Sequence, residues 1–364
     1  MGLAPAPAQY PTARRSVSSS ATLSAAAIGY TDGSMLPRTW LGAVVLPVIC
    51  VVIPLRAQDS AVWRDPSSHS VQFVTVDRDV RLEVLDWGGS GRPMIFLAGL
   101  GNTAHVFDDF APKLTAGYHV YGITRRGFGA SSTPASGYDA DRLGDDVLAV
   151  LDSLKLTRPV LVGHSLAGEE LSSIGSRHPE RVAALVYLDA GYAYAFDNGK
   201  GMTMDQLLEL QKKVPQPPEP SAADRASFAA FQAWDQRMNG IRFPEAELRD
   251  SFDSLPDGNV GKPRTPPTVS PAILAGVKKF TDIRASALAI YAVPKDLGPW
   301  LTKDPAARAA FQSFDGLTER QATAFEKTVP GARVVRLPNA NHYVFISNQA
   351  DVLREMRAFL ATVK

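Results

Sequence analysis

The chain of 364 residues contains one cysteine, Cys50, so no internal disulfide can form. No group of cysteines and histidines has metal-ligand spacing, and no metal is expected. Neither sign of charge dominates: 38 Lys and Arg stand against 37 Asp and Glu, without a dense basic stripe, so nucleic acid is not an expected partner. A dinucleotide loop is missing as well, because Gly127-Phe128-Gly129 has no third glycine and does not join a strand to a helix. There is no internal repeat. The uncharged run from Trp40 to Leu55 is short for a membrane span.

That run reads instead as part of an export signal. Residues 1–34 are rich in Ala, Ser and Pro and lack any helical or strand period, which is the pattern of a disordered leader or of a start codon placed too early. Met35-Leu36-Pro37-Arg38 then opens the apolar run, and Leu55-Arg56-Ala57-Gln58 fits signal-peptidase cleavage after Ala57. Residues 1–57 are therefore expected to be a disordered leader plus a signal peptide, about Met35–Ala57. The product would be secreted or periplasmic and keep no stable membrane span. A retained anchor is the alternative.

With 45% hydrophobic residues the chain can bury the core of one α/β domain carrying an insertion. Val71 to Val76 and Val80 to Leu85 alternate in polarity and predict an antiparallel pair. Compact apolar runs suited to buried strands follow at Met94–Leu97, His119–Ile123, Pro159–Val162, Ala183–Leu188, Ala287–Tyr291 and Arg333–Leu337. Tyr138 to Leu154 and Val352 to Val363 carry amphipathic helical spacing. This alternation predicts an α/β fold class, a mainly parallel central sheet with helices on both faces. From Tyr194 to Phe280 the alternation stops. Helical patterns at Met204–Lys212 and Ala222–Met238 are separated by proline-rich breakers, and no buried strand stands out. Phe228, Phe231 and Trp234 form a stripe there that lines a pocket or, more simply, fills the insertion's own core.

Gly163-His164-Ser165-Leu166-Ala167-Gly168 lies between one of these strands and a helix. A serine at such a junction occupies a strained turn that lifts its Oγ above the sheet, and the next backbone N–H faces a bound acyl oxygen. Gly163 and Ala167 are small enough for strand and helix to pass closely. Glu169 and Glu170 sit in the first helical turn, where the helix dipole favours them.

Phe96-Leu97-Ala98-Gly99-Leu100-Gly101, Thr124-Arg125-Arg126-Gly127-Phe128-Gly129-Ala130-Ser131, the serine turn and Asn341-His342-Tyr343 follow one another along the chain. In these segments the chain from Val71 to Lys364 resembles the α/β-hydrolase superfamily. The first matches a strand ending in a His-Gly oxyanion loop, with Ala98 in place of the histidine, and the second a D-x-R-G-x-G-x-S turn. The resemblance implies the α/β-hydrolase fold, with core at residues 58–193 and 281–364 and a helical cap at 194–280. It implies Ser165 as nucleophile and His342, after the last strand, as its base. The other five histidines adjoin the serine, end a helix, flank loops or begin a strand. For the acid, Asp296 after the seventh strand is expected, one residue beyond the common spacing, and Asp189 at the end of the sixth strand is the alternative. Backbone N–H groups of Leu100 and Leu166 would form the oxyanion hole.

The expected activity is that of a serine hydrolase. It would cleave a carboxylic ester of a small or medium apolar substrate through an acyl-enzyme, with no cofactor. Lactone, thioester, amide or carbon–carbon bond hydrolysis with the same triad is the nearest alternative. A non-catalytic binding protein on the same fold is the second. The serine weighs against epoxide hydrolases and haloalkane dehalogenases, which resemble the chain but carry aspartate at this turn.

Overall fold

The apolar runs become strands of a single eight-stranded sheet in a computed structural model, which describes residues 63–215 and 217–364. The leader and signal-peptide reading lies outside these described residues. In chain order the strands are β1 (Ser70–Asp77), β2 (Val80–Gly89), β3 (Arg92–Leu97), β4 (Tyr118–Ile123), β5 (Val160–His164), β6 (Ala184–Leu188), β7 (Phe252–Ser254), β8 (Val260–Pro263), β9 (Ala287–Ala292) and β10 (Arg333–Leu337). The large sheet runs β1-β2-β4-β3-β5-β6-β9-β10, with β1–β2 and β2–β4 antiparallel and every other pair parallel.

β5, β6 and β9 are buried along their whole length, which is why they read as unbroken apolar runs. Their residues still alternate between two cores. Ile95, Leu97, Leu161, Leu185 and Tyr187 face one core, and Met94, Phe96, Val162, Val186 and Leu188 face the other. The helices of the described residues are α1 (Ala140–Ser153), α2 (Gly168–Arg177), α3 (Met204–Lys213), α4 (Phe228–Asn239), α5 (Glu245–Ser251), α6 (Val269–Ala275), α7 (Gly298–Leu301), α8 (Pro305–Thr328), α9 (Val344–Ser347) and α10 (Gln349–Leu360). Apolar residues of α1, α2 and α8 enter the first core, and those of α10 the second. No helix among the described residues is long and apolar enough to cross a membrane.

Between β6 and β9 lie α3 to α6 and the hairpin β7–β8. The hairpin is absent from the sequence expectation because strands of three and four residues are too short to show a period. Phe228, Phe231 and Trp234 of α4 are all buried. Phe231 stacks on Trp234 at 5.3 Å and meets Phe252 of the hairpin edge-on at 4.9 Å. The stripe is core of the insertion.

The strand order also locates the crevice. From β3 the chain moves to β4 on one side and then to β5 on the other, so the loops leaving β3 and β5 diverge. In open parallel sheets ligands bind at such a switch point, at the carboxyl ends of the strands.

Candidate active site

Ser165 leaves the end of β5 at this switch point with φ +52°, in the left-handed region that a residue with a side chain rarely occupies. Its neighbours must be small for steric reasons that the structure makes explicit. A Cβ on Gly163 would lie 2.9 Å from Leu171 Cδ1 and 3.2 Å from Ala167 Cβ, and one on Gly168 would lie 2.0 Å from the Ala190 carbonyl oxygen. Helix α2 thus passes so close to β5 and to the loop after β6 that only this pattern fits.

His342, in the loop after β10, reaches back to the serine. Its Nε2 is 2.9 Å from Ser165 Oγ, and its Nδ1 is 2.6 Å from Asp189 Oδ2. All three residues are 2% exposed or less. Asp189 takes φ +47° directly after β6, and four donors converge on its carboxylate. Tyr192 Oη at 2.6 Å and the Ala292 N–H at 3.0 Å donate to Oδ1, while His342 Nδ1 and Lys295 Nζ, at 2.7 Å, donate to Oδ2. Burial alone would raise this carboxyl, but the Lys295 ammonium and His342 hold it well below the usual carboxylate range. Burial and the same ammonium push the His342 imidazole down to about 4 against the pull of Asp189.

Asp296 is therefore not the partner of His342. It is exposed, its carboxylate accepts the Gly298 N–H at 3.0 Å at the start of α7, and its own N–H donates to the Ala340 carbonyl at 2.8 Å. The residue that the loop after β9 turns inward is Lys295, one position earlier. The extra residue in the spacing is what separates Asp296 from the histidine.

Leu100 and Leu166 lie beside Ser165 in one pocket, closed by Tyr194, Leu274 and the α3 residues Met204 and Leu207. Leu166 belongs to the first helical turn after the elbow, where N–H groups have no intrahelical acceptor. The loop carrying Leu100 is fixed from behind by buried Arg125, whose Nη2 donates to the Ala98 carbonyl at 2.8 Å and Nη1 to the Gly99 carbonyl at 3.3 Å. Arg125 is in turn held by Glu170 through paired bonds of 2.7 and 2.8 Å. Both carbonyls thus face the guanidinium, which holds the loop as a wall of the pocket.

The sequence and the fold both have counterparts among known proteins. Residues 94–355 match the Alpha/beta hydrolase family. The chain belongs to that family. Among its relatives are a putative non-heme haloperoxidase of Mycobacterium phage D29, 34% identical over 103 residues, which are 28% of this chain and 37% of that protein. A 2-(acetamidomethylene)succinate hydrolase of Mesorhizobium japonicum is 30% identical over 101 residues, 28% of this chain and 36% of the relative. These alignments span little more than a third of either relative. The crystal structure of E-2-(acetamidomethylene)succinate hydrolase shares the fold with a TM-score of 0.60 at 20% identity, covering 81% of this chain and all of that one.

In this alpha/beta hydrolase several residues matter beyond those the motifs point to. Lys295 and Tyr192 leave no local signature, because their role depends on two loops that meet only in the fold. Arg125 and Glu170 look like a turn and a dipole effect in sequence, and their pairing across 45 positions is invisible there. Glu169 is buried, and burial followed by Glu170 pushes its carboxyl well above the ordinary range. His164 is buried too, its ring 4.6 Å from those of His342 and Tyr343, and its Nε2–H donates to the His342 carbonyl at 3.2 Å. Burial keeps it neutral, pushed well below the ordinary histidine value.

Glu247 of α5 ties the insertion to the site. Its carboxyl accepts from Asn102 Nδ2 at 2.8 Å, the Thr103 N–H at 3.2 Å and Thr103 Oγ1 at 2.5 Å, while Asn102 Oδ1 accepts from Tyr343 Oη at 2.9 Å. Burial pushes this carboxyl up to about 7 against those hydrogen bonds. The native state then binds the proton more tightly than the unfolded chain, so the contribution of Glu247 to stability falls as pH rises from 4.5 towards 7. Replacing it with alanine strands three buried donors, each costing about 1–3 kcal/mol when unpaired. Glu247→Ala should therefore lower the urea midpoint clearly. A midpoint equal to wild type would show that the clamp contributes nothing.

Proposed function

We propose that the protein is a serine hydrolase of carboxylic esters acting through an acyl-enzyme. The observation that carries this reading is the buried chain of hydrogen bonds from Asp189 through His342 to Ser165, ending on a serine held at positive φ. A serine hydroxyl is a weak nucleophile until a neighbouring base takes its proton. His342 Nε2 is within reach of that proton, and Asp189 keeps Nδ1 protonated so that Nε2 stays free to accept it.

Ser165 Oγ attacks the ester carbonyl and its proton passes to His342. The carbonyl oxygen becomes an oxyanion facing the N–H groups of Leu100 and Leu166, donors that need no rearrangement as charge develops. Imidazolium then protonates the departing alcohol. Water, deprotonated by the same imidazole, releases the acid and restores the serine. The walls formed by Leu100, Leu166, Met204, Leu207 and Leu274 favour an apolar acyl group of small or medium size. His342 also borders a cleft with Asn239, Asn341, Phe243 and Tyr343, which suits the alcohol that it must protonate. The relative named as a hydrolase supports a hydrolytic reaction, and export by way of residues 1–57 belongs to the same proposal.

A fluorophosphonate probe tests the assignment directly. Incubated with the protein, it should add one phosphonyl group per chain, and peptide mass spectrometry should find that group on Ser165. Absence of labelling on folded protein would favour a binding protein built on this fold.

A further inference from the structure

Lys295 is a cation with a side chain 1% exposed, and Asp189 beside it is completely buried. Taking an ammonium out of water costs several kcal/mol, which the fold tolerates only where a partner is held in good geometry. That partner is Asp189 Oδ2 at 2.7 Å, the same oxygen that accepts His342 Nδ1 at 2.6 Å. The lysine is itself fixed. Its ammonium lies 5.1 Å from the Phe314 ring centre and 5.6 Å from that of Tyr192, and its backbone N–H donates to Asp315 Oδ1 at 3.1 Å. An ordinary structural ion pair would not need to share the one oxygen that faces the histidine.

We propose that Lys295 is a positioning residue of the hydrolytic site: by holding Asp189 and drawing on its charge, it sets His342 as a weak base and lets the enzyme work in acidic solution. This rests on the reading of Ser165, His342 and Asp189 as a catalytic triad. A carboxylate beside an imidazole normally makes the ring more basic, whereas a carboxylate already neutralised by an ammonium does so much less. The other groups facing the pair do not supply that counter-charge. His164 is neutral, Ser165 and the buried hydroxyls of Tyr192, Tyr194 and Tyr291 carry no charge, and Asp315 lies against the backbone of Lys295, where its negative charge works in the opposite direction. The cost is a base less strong at neutral pH, and the return is a base that remains unprotonated where an ordinary histidine would be charged. The direction found for His342, down to about 4 with burial and Lys295 as the leading causes, agrees with this arrangement.

The test is the pH profile of kcat/KM, which reports the free enzyme's essential base. Wild type should lose activity only as pH falls through about 4. Lys295→Met keeps the unbranched apolar stem, removes the ammonium, and should move the acid limb up by about one unit or more, towards the ordinary histidine value. Lys295→Arg, which keeps the charge, should leave the limb near the wild-type position. A Lys295→Met protein that is folded and labels with fluorophosphonate, yet shows an unshifted limb, overturns the proposal while leaving the triad standing. Failure of wild type to label or hydrolyse overturns the triad itself. Should Lys295→Met fail to fold, Lys295→Gln carries the same test, read by ¹⁵N-histidine NMR: a His342 titration raised above that of wild type supports the proposal, and an unchanged one sinks it.

Discussion

Asp189→Asn should lower kcat for a p-nitrophenyl ester by about 10⁴-fold, the loss seen when a triad acid becomes an amide. Asp296→Asn should remain within a few-fold of wild type. The reason is the number of donors that converge on Asp189. Tyr192 Oη, the Ala292 N–H, His342 Nδ1 and Lys295 Nζ all donate to its two oxygens. An amide has one accepting oxygen, so its NH₂ must face two of these donors. If that group faces His342, the imidazole turns to the other tautomer, and Nε2 then carries the proton that it should receive. The substitution also strands Lys295 as an unpaired buried charge, a loss of about 3–5 kcal/mol, so the melting temperature should fall with the rate. The Asp296 carboxylate accepts the Gly298 N–H at the start of α7 and lines the cleft beside His342 without bonding to it, so its loss should show as a small change in stability. Inactive Asp296→Asn beside active Asp189→Asn would reverse the assignment.

Ser165→Ala should be more damaging to the rate and less so to the fold. Removing a nucleophile of this kind lowers kcat by about 10⁶-fold, because histidine and acid have nothing left to activate. The fold loses one hydrogen bond, from the hydroxyl to His342, worth about 1 kcal/mol. Alanine has the same Cβ as serine and bears the positive φ equally well, so the elbow itself should not move. Measured with p-nitrophenyl esters from acetate to decanoate on protein starting at Gln58, wild type should give a length profile that sizes the pocket of Leu100, Leu166 and Leu207. Equal activity in both proteins would remove Ser165 from the mechanism.

The elbow is legible in the sequence because steric demand is local: Gly163, Ala167 and Gly168 are small for contacts that lie within a few residues of them or at the next strand end. The parallel strands are legible because strands buried on both faces admit only apolar residues. The identity of the acid is not, since Asp189 and Asp296 follow adjacent strands, β6 and β9, on the same side of β10. What separates them is the inward turn of Lys295. The long helix α8 is an element not anticipated from the sequence, although Ala307, Phe311, Phe314, Thr318, Gln321 and Phe325 recur at helical spacing and are all buried. Two of those six are polar, and that weakens the stripe. Clamps such as Arg125 with Glu170 and Glu247 with Thr103 join segments 45 and 144 positions apart, a separation over which spacing carries no information.

The Glu247 clamp bears on how such an enzyme could be re-engineered. A cap is attractive as an exchangeable part, to be swapped between relatives in order to transplant substrate preference. Here one carboxyl of α5 holds Asn102 and Thr103, and Asn102 in turn holds Tyr343 next to His342. A foreign cap would remove the acceptor on which that sequence of contacts depends, and the chimera would fail in the core before its new pocket could be tried. A graft that keeps a carboxyl at the place of Glu247 should preserve these contacts, whatever it changes at the pocket residues of α3.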